Sequence, residues 1–374
     1  MALFTPNIAF LNFKVDEFFG EIVFEVPGTY TIEVDTPGGP ATTVNGVLYD
    51  ISNDKYLIPN GVRLAGAGLT AVAVGAGGGA SGPNRNDGGM GGGGGALSYM
   101  NNHGAGSLSP GDQFTVIVGA GGVGGPRIAG NESAAINGIA GGISRLVRVS
   151  DNSKLIIGNG GQPGTFQTLT NAVGGTSSGT ARDGGGNGGG SGVQFGGNDG
   201  TGGGGAGGYT GNGGEGLSEG QNGLGVLNSG AGGGGAGGNH TRSPQNSRGY
   251  TGGGGVALYG VGNSGTVTFD VYARAQFAAT QGSLNVAPAT AEVGAQIFGN
   301  GRGIGAGGGG LEDDTNTSGG TGGNGGLRIV FGGASNPRSF PSTNVGQSGS
   351  LGNVLTVTGA AGAGDYGGQS QFGT

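Results

Sequence analysis

The segment FTVIVGAGGVGG (114–125) runs a short apolar stretch into Gly119, Gly121 and Gly124. This is the G-x-G-x-x-G spacing that cradles a dinucleotide's pyrophosphate on backbone amides at the start of a helix. That chemistry needs a helix opening at the third glycine and an acidic residue about 20 positions further on. Here Pro126 follows almost at once, Glu132 comes too early and Asp151 too late, so nucleotide binding is not expected. No glycine tract is followed by Lys-Ser or Lys-Thr, which removes a Walker-type phosphate loop as well. The chain has only two histidines, His103 and His240, and no cysteine. Both histidines sit in polar, glycine-flanked stretches and read as surface residues. A Ser-His-Asp arrangement could still assemble in space, but nothing resembling a nucleophile elbow supports one. Glu312, Asp313 and Asp314, with Thr315 and Asn316 beside them, offer hard oxygens of the kind calcium takes. A solvated loop is the favoured reading there. Asn239-His240-Thr241 spells a glycosylation acceptor that reads as chance. The expectation is a chain that is not an enzyme, with no cofactor and no metal site.

The informative residues are those that interrupt the glycine. PNRND (83–87), LSYMNNH (97–103), NHTRSPQNSRGY (239–250) and LEDDTNTS (311–318) bring Tyr, Asn, Arg, Ser and His between nearly pure glycine tracts. If the tracts form a rigid scaffold, such segments belong at its ends as loops. They carry the stacking and adaptable hydrogen-bonding chemistry of recognition surfaces. The same polarity is also what any exposed connection needs. Tyr209, His240, Arg242, Arg248 and Tyr250 are the binding candidates, because they combine aromatic faces with directional donors close to consecutive tracts. Aromatic faces suit sugar rings, and guanidinium forks suit anionic groups.

The elements that must position these residues are set by glycine. Of 374 residues 104 are glycine, and only 10% are charged. Collagen is excluded, since prolines number 13 and no strict G-X-Y period runs through the tracts. Helix is expected below about 5% of residues, because glycine in a helix interior costs about 1 kcal/mol relative to alanine. The first 74 residues hold 8 glycines and residues 75–326 hold 85. We therefore divide the chain into an N-terminal β attachment segment (1–55), a glycine-rich domain (56–332) and a Ser/Gly/Asn-rich C-terminal extension (333–374). Alternating apolar and polar residues over 21–35 predict a hairpin turning at Pro27-Gly28. Further strands are expected at 47–51, 69–74, 114–118, 144–149, 154–157, 256–261, 266–277, 327–331 and 353–358. The fold class that follows is all-β with extended glycine-rich tracts of polyglycine-II type. In that geometry three residues make a turn, no hydrogen bond closes within a strand, and every amide and carbonyl is free for a neighbouring strand. Ordinary strands joined by ordered glycine loops are the plainer alternative.

The net charge of −7 and the pI near 4.8 argue against a nucleic-acid binder. No apolar run approaches the roughly 20 residues of a membrane helix, and the opening MALFTPNIAFLNFK does not read as a signal peptide.

TAVAVGAGGGASG, GGMGGGGGALSY, SPGDQFTVIVGAGGVGG and GGTGGNGGLRIVFG together resemble the glycine-rich domain of bacteriophage tail fibres, over about residues 56–332. RSFPSTNV (338–345) is similar to the ends of glycine-rich virion proteins of cyanobacterial phages. The resemblance implies a virion structural protein on the exterior of the particle, a tail-fibre or adhesin subunit. Implied partners are further copies of the chain, as a homotrimer, other virion proteins, and a host surface polysaccharide or outer-membrane protein. A capsid or baseplate decoration protein with purely structural contacts is the alternative.

Overall fold

The fold was analysed in a computed structural model, which describes residues 19–35, 42–44, 47–50, 52–58, 68–83, 87–104, 106–127, 137–166, 170–193, 200–218, 230–231, 234, 240–242, 248–250, 252–261, 264, 301, 303–310, 318–332 and 339–341. Among these residues there is no helix, and the fold is all-β. The strands are β1 (Phe19–Phe24), β2 (Gly28–Val34), β3 (Thr42–Val44), β4 (Val47–Asp50), β5 (Lys55–Ile58), β6 (Leu69–Val74), β7 (Leu97–His103), β8 (Gln113–Val118), β9 (Ser144–Arg148), β10 (Lys154–Gly158), β11 (Ser177–Ser178), β12 (His240–Arg242), β13 (Arg248–Tyr250) and β14 (Gly326–Gly332).

One sheet has the order β1-β14-β6-β7, and a longer one has the order β11-β10-β9-β8-β2-β5-β4-β3. Only β2 and β5 run parallel in these two sheets; the other pairs are antiparallel. Alternation sends one row of side chains from β1, β2, β5, β6, β8 and β14 into a shared core. Ile22 and Phe24 meet Ile32 and Val34, Phe114 and Val116, and Leu327, Ile329 and Phe331 there. The hairpin expected at Pro27-Gly28 does not form. β1 pairs with β14, and β2 pairs with β8 and β5, so Pro27-Gly28 carries the chain from one sheet to the other. Both apolar rows are real, but they face each other across the core instead of lying side by side. The N-terminal strands therefore complete sheets shared with the glycine-rich region, and the division near residue 55 does not separate two cores.

The strands continue directly into glycine. β6, β8 and β10 run out into tracts 75–81, 119–125 and 159–164, while β7, β9 and β14 are entered from 89–96, 138–143 and 319–325. In tract 75–81 the amides of Gly75, Gly78 and Ser81 donate to the carbonyls of Ala96, Gly93 and Met90. Those of Ala76 and Gly79 donate to Gly142 and Ile139, and those of Gly77 and Ala80 to Gly323 and Gly320. In return, Ala76 and Gly79 accept from Gly161 and Gly164, Gly77 and Ala80 from Gly122 and Gly125, and Gly78 from Gly308. Every third residue meets the same neighbour, which is the repeat of a strand with three residues per turn. The tract is thus enclosed on all sides by other tracts.

Followed through the molecule, these bonds order the tracts in rows. The first row holds 138–143, 159–164 and 171–176, and the second holds 119–125, 75–81, 89–96 and 186–192. The third holds 319–325, 305–310, 201–207 and 213–218, and the last contains 252–256 with Gly301 and Gly234 to either side. Ordering a backbone residue costs about 1–2 kcal/mol, and a hydrogen bond returns a net of about 1 kcal/mol. The array therefore depends on being anchored, and the sandwich strands fix the register at which each tract begins.

The rows have a sequence code. Inner tracts 75–82, 88–96, 201–208 and 305–310 are buried throughout and consist almost wholly of Gly and Ala. Several outer tracts place a larger residue at every third position, and that position is the exposed one. Ala120, Val123 and Pro126 follow this rule, as do Thr170, Val173 and Thr176. So do Asn212 and Glu215, and Ser318 and Thr321.

Candidate functional site

The G-x-G-x-x-G segment is part of this array. The Gly119 amide donates to Ser144 Oγ (3.1 Å), Gly121 to Asn324 Oδ1 (2.9 Å), and Gly122 and Gly125 to Gly77 and Ala80. Amides that a pyrophosphate would need are held by protein oxygens, and no helix opens at Gly124 among the described residues up to Arg127.

The register places the described ends of several tracts side by side, away from the sandwich. Ser81 lies beside Met90, Gly125 beside Ala80, Gly192 beside Gly202, Gly202 beside Leu217, and Gly310 beside Thr201. In sequence, segments 84–86, 128–136, 194–199 and 311–317 both follow and precede described residues at this end, and 219–229 follows one. Those segments lie outside the described residues, including Glu312, Asp313 and Asp314 and most of the LEDDTNTS stretch. Pro83 and Asp87, which flank the NRN of the first segment, stand at this end.

Four of the binding candidates come together. His240, Arg242, Arg248 and Tyr250 form the antiparallel pair β12–β13, with His240 opposite Tyr250, Thr241 opposite Gly249 and Arg242 opposite Arg248. The sequence reading treated this stretch as loop; the backbone makes it a hairpin. Its pairing is what brings two cations and two rings to adjacent register positions.

Tyr209 does not belong to that set. Its side chain is 1% exposed, and its hydroxyl donates to the Ala257 carbonyl (3.0 Å) and accepts from the Gly260 amide (3.1 Å). The ring stacks on Phe340 at 5.3 Å between centroids and lies 6.0 Å from Tyr99. Burial holds the hydroxyl well above the usual tyrosine range, so it stays protonated. The residue is part of a second core on the other face of the β1-β14-β6-β7 sheet, with Val72, Val74, Leu97, Val256, Leu258 and Val330. A polar flank and nearby glycine suggested exposure; long-range packing decided otherwise.

LSYMNNH is also corrected. It is strand β7, and its first four residues are buried. Asn101 exchanges two hydrogen bonds with Phe340, donating from Nδ2 to the carbonyl (2.8 Å) and accepting the amide at Oδ1 (2.7 Å). These bonds hold the Phe340–Pro341 segment over Tyr99 and Tyr209. Arg328, which the sequence reading passed over in a strand of apolar neighbours, is 0% exposed. It donates to the Leu258 carbonyl (3.1 Å), and its guanidinium lies 4.6 Å from the Tyr259 ring centre, a cation–π contact. The strand expected at 256–261 is accordingly an irregular cover on this core. The strands expected at 266–277 and 353–358 lie outside the described residues.

His103, at the end of β7, takes a hydrogen bond from Arg148 at Nε2, and Arg148 lies 3.7 Å from Asp151. Partial burial lowers the imidazole's pKa, and the neighbouring Arg148 lowers it further. A folded value below the unfolded one means the unfolded chain binds the extra proton first. Stability from this site is full above about pH 6.5 and is lost as pH falls through and below it. Thermal melts at pH 7.5 and 5.5 should show the parent losing more than His103→Gln; equal losses would remove the assignment.

No protein-family model matches the chain, and no curated protein sequence matches it.

Proposed function

We propose that the chain is a bacteriophage virion structural protein, a tail-fibre or adhesin subunit that contacts the host cell surface through segments joining its glycine tracts. The observation that carries this reading is a hydrogen-bonded glycine array rooted in a β-sandwich, with described ends of several tracts side by side away from the strands. Such an array resists bending because each inner tract is tied to neighbours on all sides. A stiff shaft that presents several polar turns together is a suitable platform for weak contacts. Several copies on one particle would multiply those contacts by avidity. In this reading the β12–β13 hairpin supplies the arginines and rings for sugar or anionic surface groups. The particle's exterior is the proposed location, and other virion proteins and further copies of the chain are the proposed structural partners.

Fluorescently labelled protein added to cells that the parent phage infects should bind them saturably. Arg242→Ala with Tyr250→Ala should weaken that binding at least about tenfold and leave the melting temperature unchanged. A double variant that binds like the parent would remove the hairpin from the contact surface. Antibody labelling that finds the chain on the capsid, with no binding of the isolated protein to cells, would favour the decoration role instead.

A further inference from the structure

Arg242 and Arg248 stand directly opposite each other in the β12–β13 pair, and His240 stands opposite Tyr250. Successive residues of a strand alternate between its two faces, so positions 240 and 242 share a face, as do 248 and 250. The register puts all four on one face of the ribbon and leaves Thr241 and Gly249 to the other. Directly opposed residues of an antiparallel pair have Cβ atoms about 4.5–5.5 Å apart, and like charges at that spacing work against the pairing. The surrounding sequence supplies no counter-charge. Residues 220–269 contain no Asp or Glu, in a chain whose acids number 22 against 15 Lys and Arg. Arg242 and Arg248 are the only Lys or Arg of that stretch.

We propose that this face binds a phosphate monoester carried on a host-surface glycan, with Arg242 and Arg248 sharing the phosphoryl oxygens. The inference deepens the attachment reading and rests on it for the source of the ligand. A phosphate monoester carries about −1.5 to −2 at pH 7 and three acceptor oxygens, which matches two guanidinium forks in charge and in bonds. A carboxylate has one charge and two oxygens, which a single fork satisfies, so the second arginine would stay uncompensated. A neutral sugar would leave both arginines so. An anion between them turns their mutual repulsion into two attractions, a gain that no uncharged ligand brings. His240 and Tyr250, two residues along the same face, place rings beside the sugar that bears the phosphate. The net charge of −7 opposes an unbroken line of phosphates such as duplex DNA, whereas isolated phosphates on a glycan meet only the local pair.

The test is binding of the full chain at low ionic strength and neutral pH to three cellulose beads. One carries sparse phosphate groups, one carries carboxymethyl groups at equal charge density, and one is unmodified. The parent should bind the phosphate beads at least about tenfold more tightly than the carboxymethyl beads. Inorganic phosphate should displace it at lower concentration than acetate of equal ionic strength. Arg242→Gln with Arg248→Gln should weaken phosphate binding at least about tenfold, with circular dichroism unchanged and a melting temperature equal to the parent's or higher, since the opposed charges are gone. Arg242→Lys with Arg248→Lys keeps the charges without the forks and should fall between. Equal binding of the parent to both charged beads, or phosphate binding that survives in the folded Gln variant, would overturn the proposal. Duplex DNA that displaces the parent more effectively than inorganic phosphate would overturn the glycan as source. Binding to host cells separates this inference from the attachment reading. Cells bound equally by the parent and the Gln variant would keep attachment and overturn the phosphate site. Phosphate binding lost only in the variants, with no binding of the parent to cells, would keep the phosphate site and overturn attachment.

Discussion

Gly94→Val should destabilise the fold by about 3 kcal/mol or more, at the upper end of overpacking costs. Gly94 is buried in tract 89–96, donates its amide to Gly189 and accepts at its carbonyl from Gly175. A Cβ built on it would fall on the Gly205 carbonyl oxygen, with the Gly204 oxygen only 3.0 Å away. Both obstacles are backbone atoms of another inner tract. Gly205 is itself held, since its amide donates to Gly214 and its carbonyl accepts from Gly189. Neither side can yield without breaking bonds in a third tract, so the strain spreads. Val123→Thr, at an exposed third position of tract 119–125, should change stability by no more than about 0.5 kcal/mol. Urea or thermal unfolding followed by circular dichroism measures both. Equal midpoints for Gly94→Val and the parent would mean that the tracts are loose in solution. Gly233, the natural choice from the length of the 230–238 tract, lies outside the described residues.

Much of the sandwich was legible because strands announce themselves by alternation and β-branched content. The apolar runs ending at Val74, Val118 and Phe331 are strands with nearly the expected limits. Pairing was not legible, since alternation fixes which residues face a core and says nothing about which strand lies alongside. Pro27-Gly28 has the composition of a turn, and a corner between sheets uses the same residues. The presence of stacked glycine could be argued from composition, whereas its internal order required a finer signal. That signal was available: uninterrupted runs such as 91–95 lie inside, and tracts with a larger residue at every third place, such as Ala120, Val123 and Pro126, lie outside. A search for strict collagen-like periods passes over it, because the interruption marks a surface and not a triple helix. Of the binding candidates, His240, Arg242, Arg248 and Tyr250, which are close in sequence, share one hairpin. Tyr209 was misplaced because its environment is made by Tyr99, Ala257, Gly260 and Phe340, which no local pattern around Tyr209 announces.

Tyr209→Ala should cost about 3–5 kcal/mol, the range for removing a large buried side chain and leaving a cavity. The loss has two parts that a milder variant separates. The ring fills the space between Phe340, Tyr99 and the 257–260 segment, while the hydroxyl serves both the Ala257 carbonyl and the Gly260 amide. Tyr209→Phe keeps the ring and leaves those two backbone groups without their partner, which should cost about 1–3 kcal/mol. The segment they belong to also caps Arg328, through the Leu258 carbonyl and the Tyr259 ring. Loosening it therefore weakens the cover over a buried cation, and the cost should lie toward the upper part of that range. Both variants should unfold at lower temperature than the parent. Below their transitions they should bind cells as the parent does, because the side chain does not reach the surface. A Tyr209→Phe protein with unchanged unfolding and diminished cell binding would return Tyr209 to the contact surface and contradict its place in the core. Lowered stability with intact binding would leave recognition to the hairpin and the tract connections, where the remaining candidates stand.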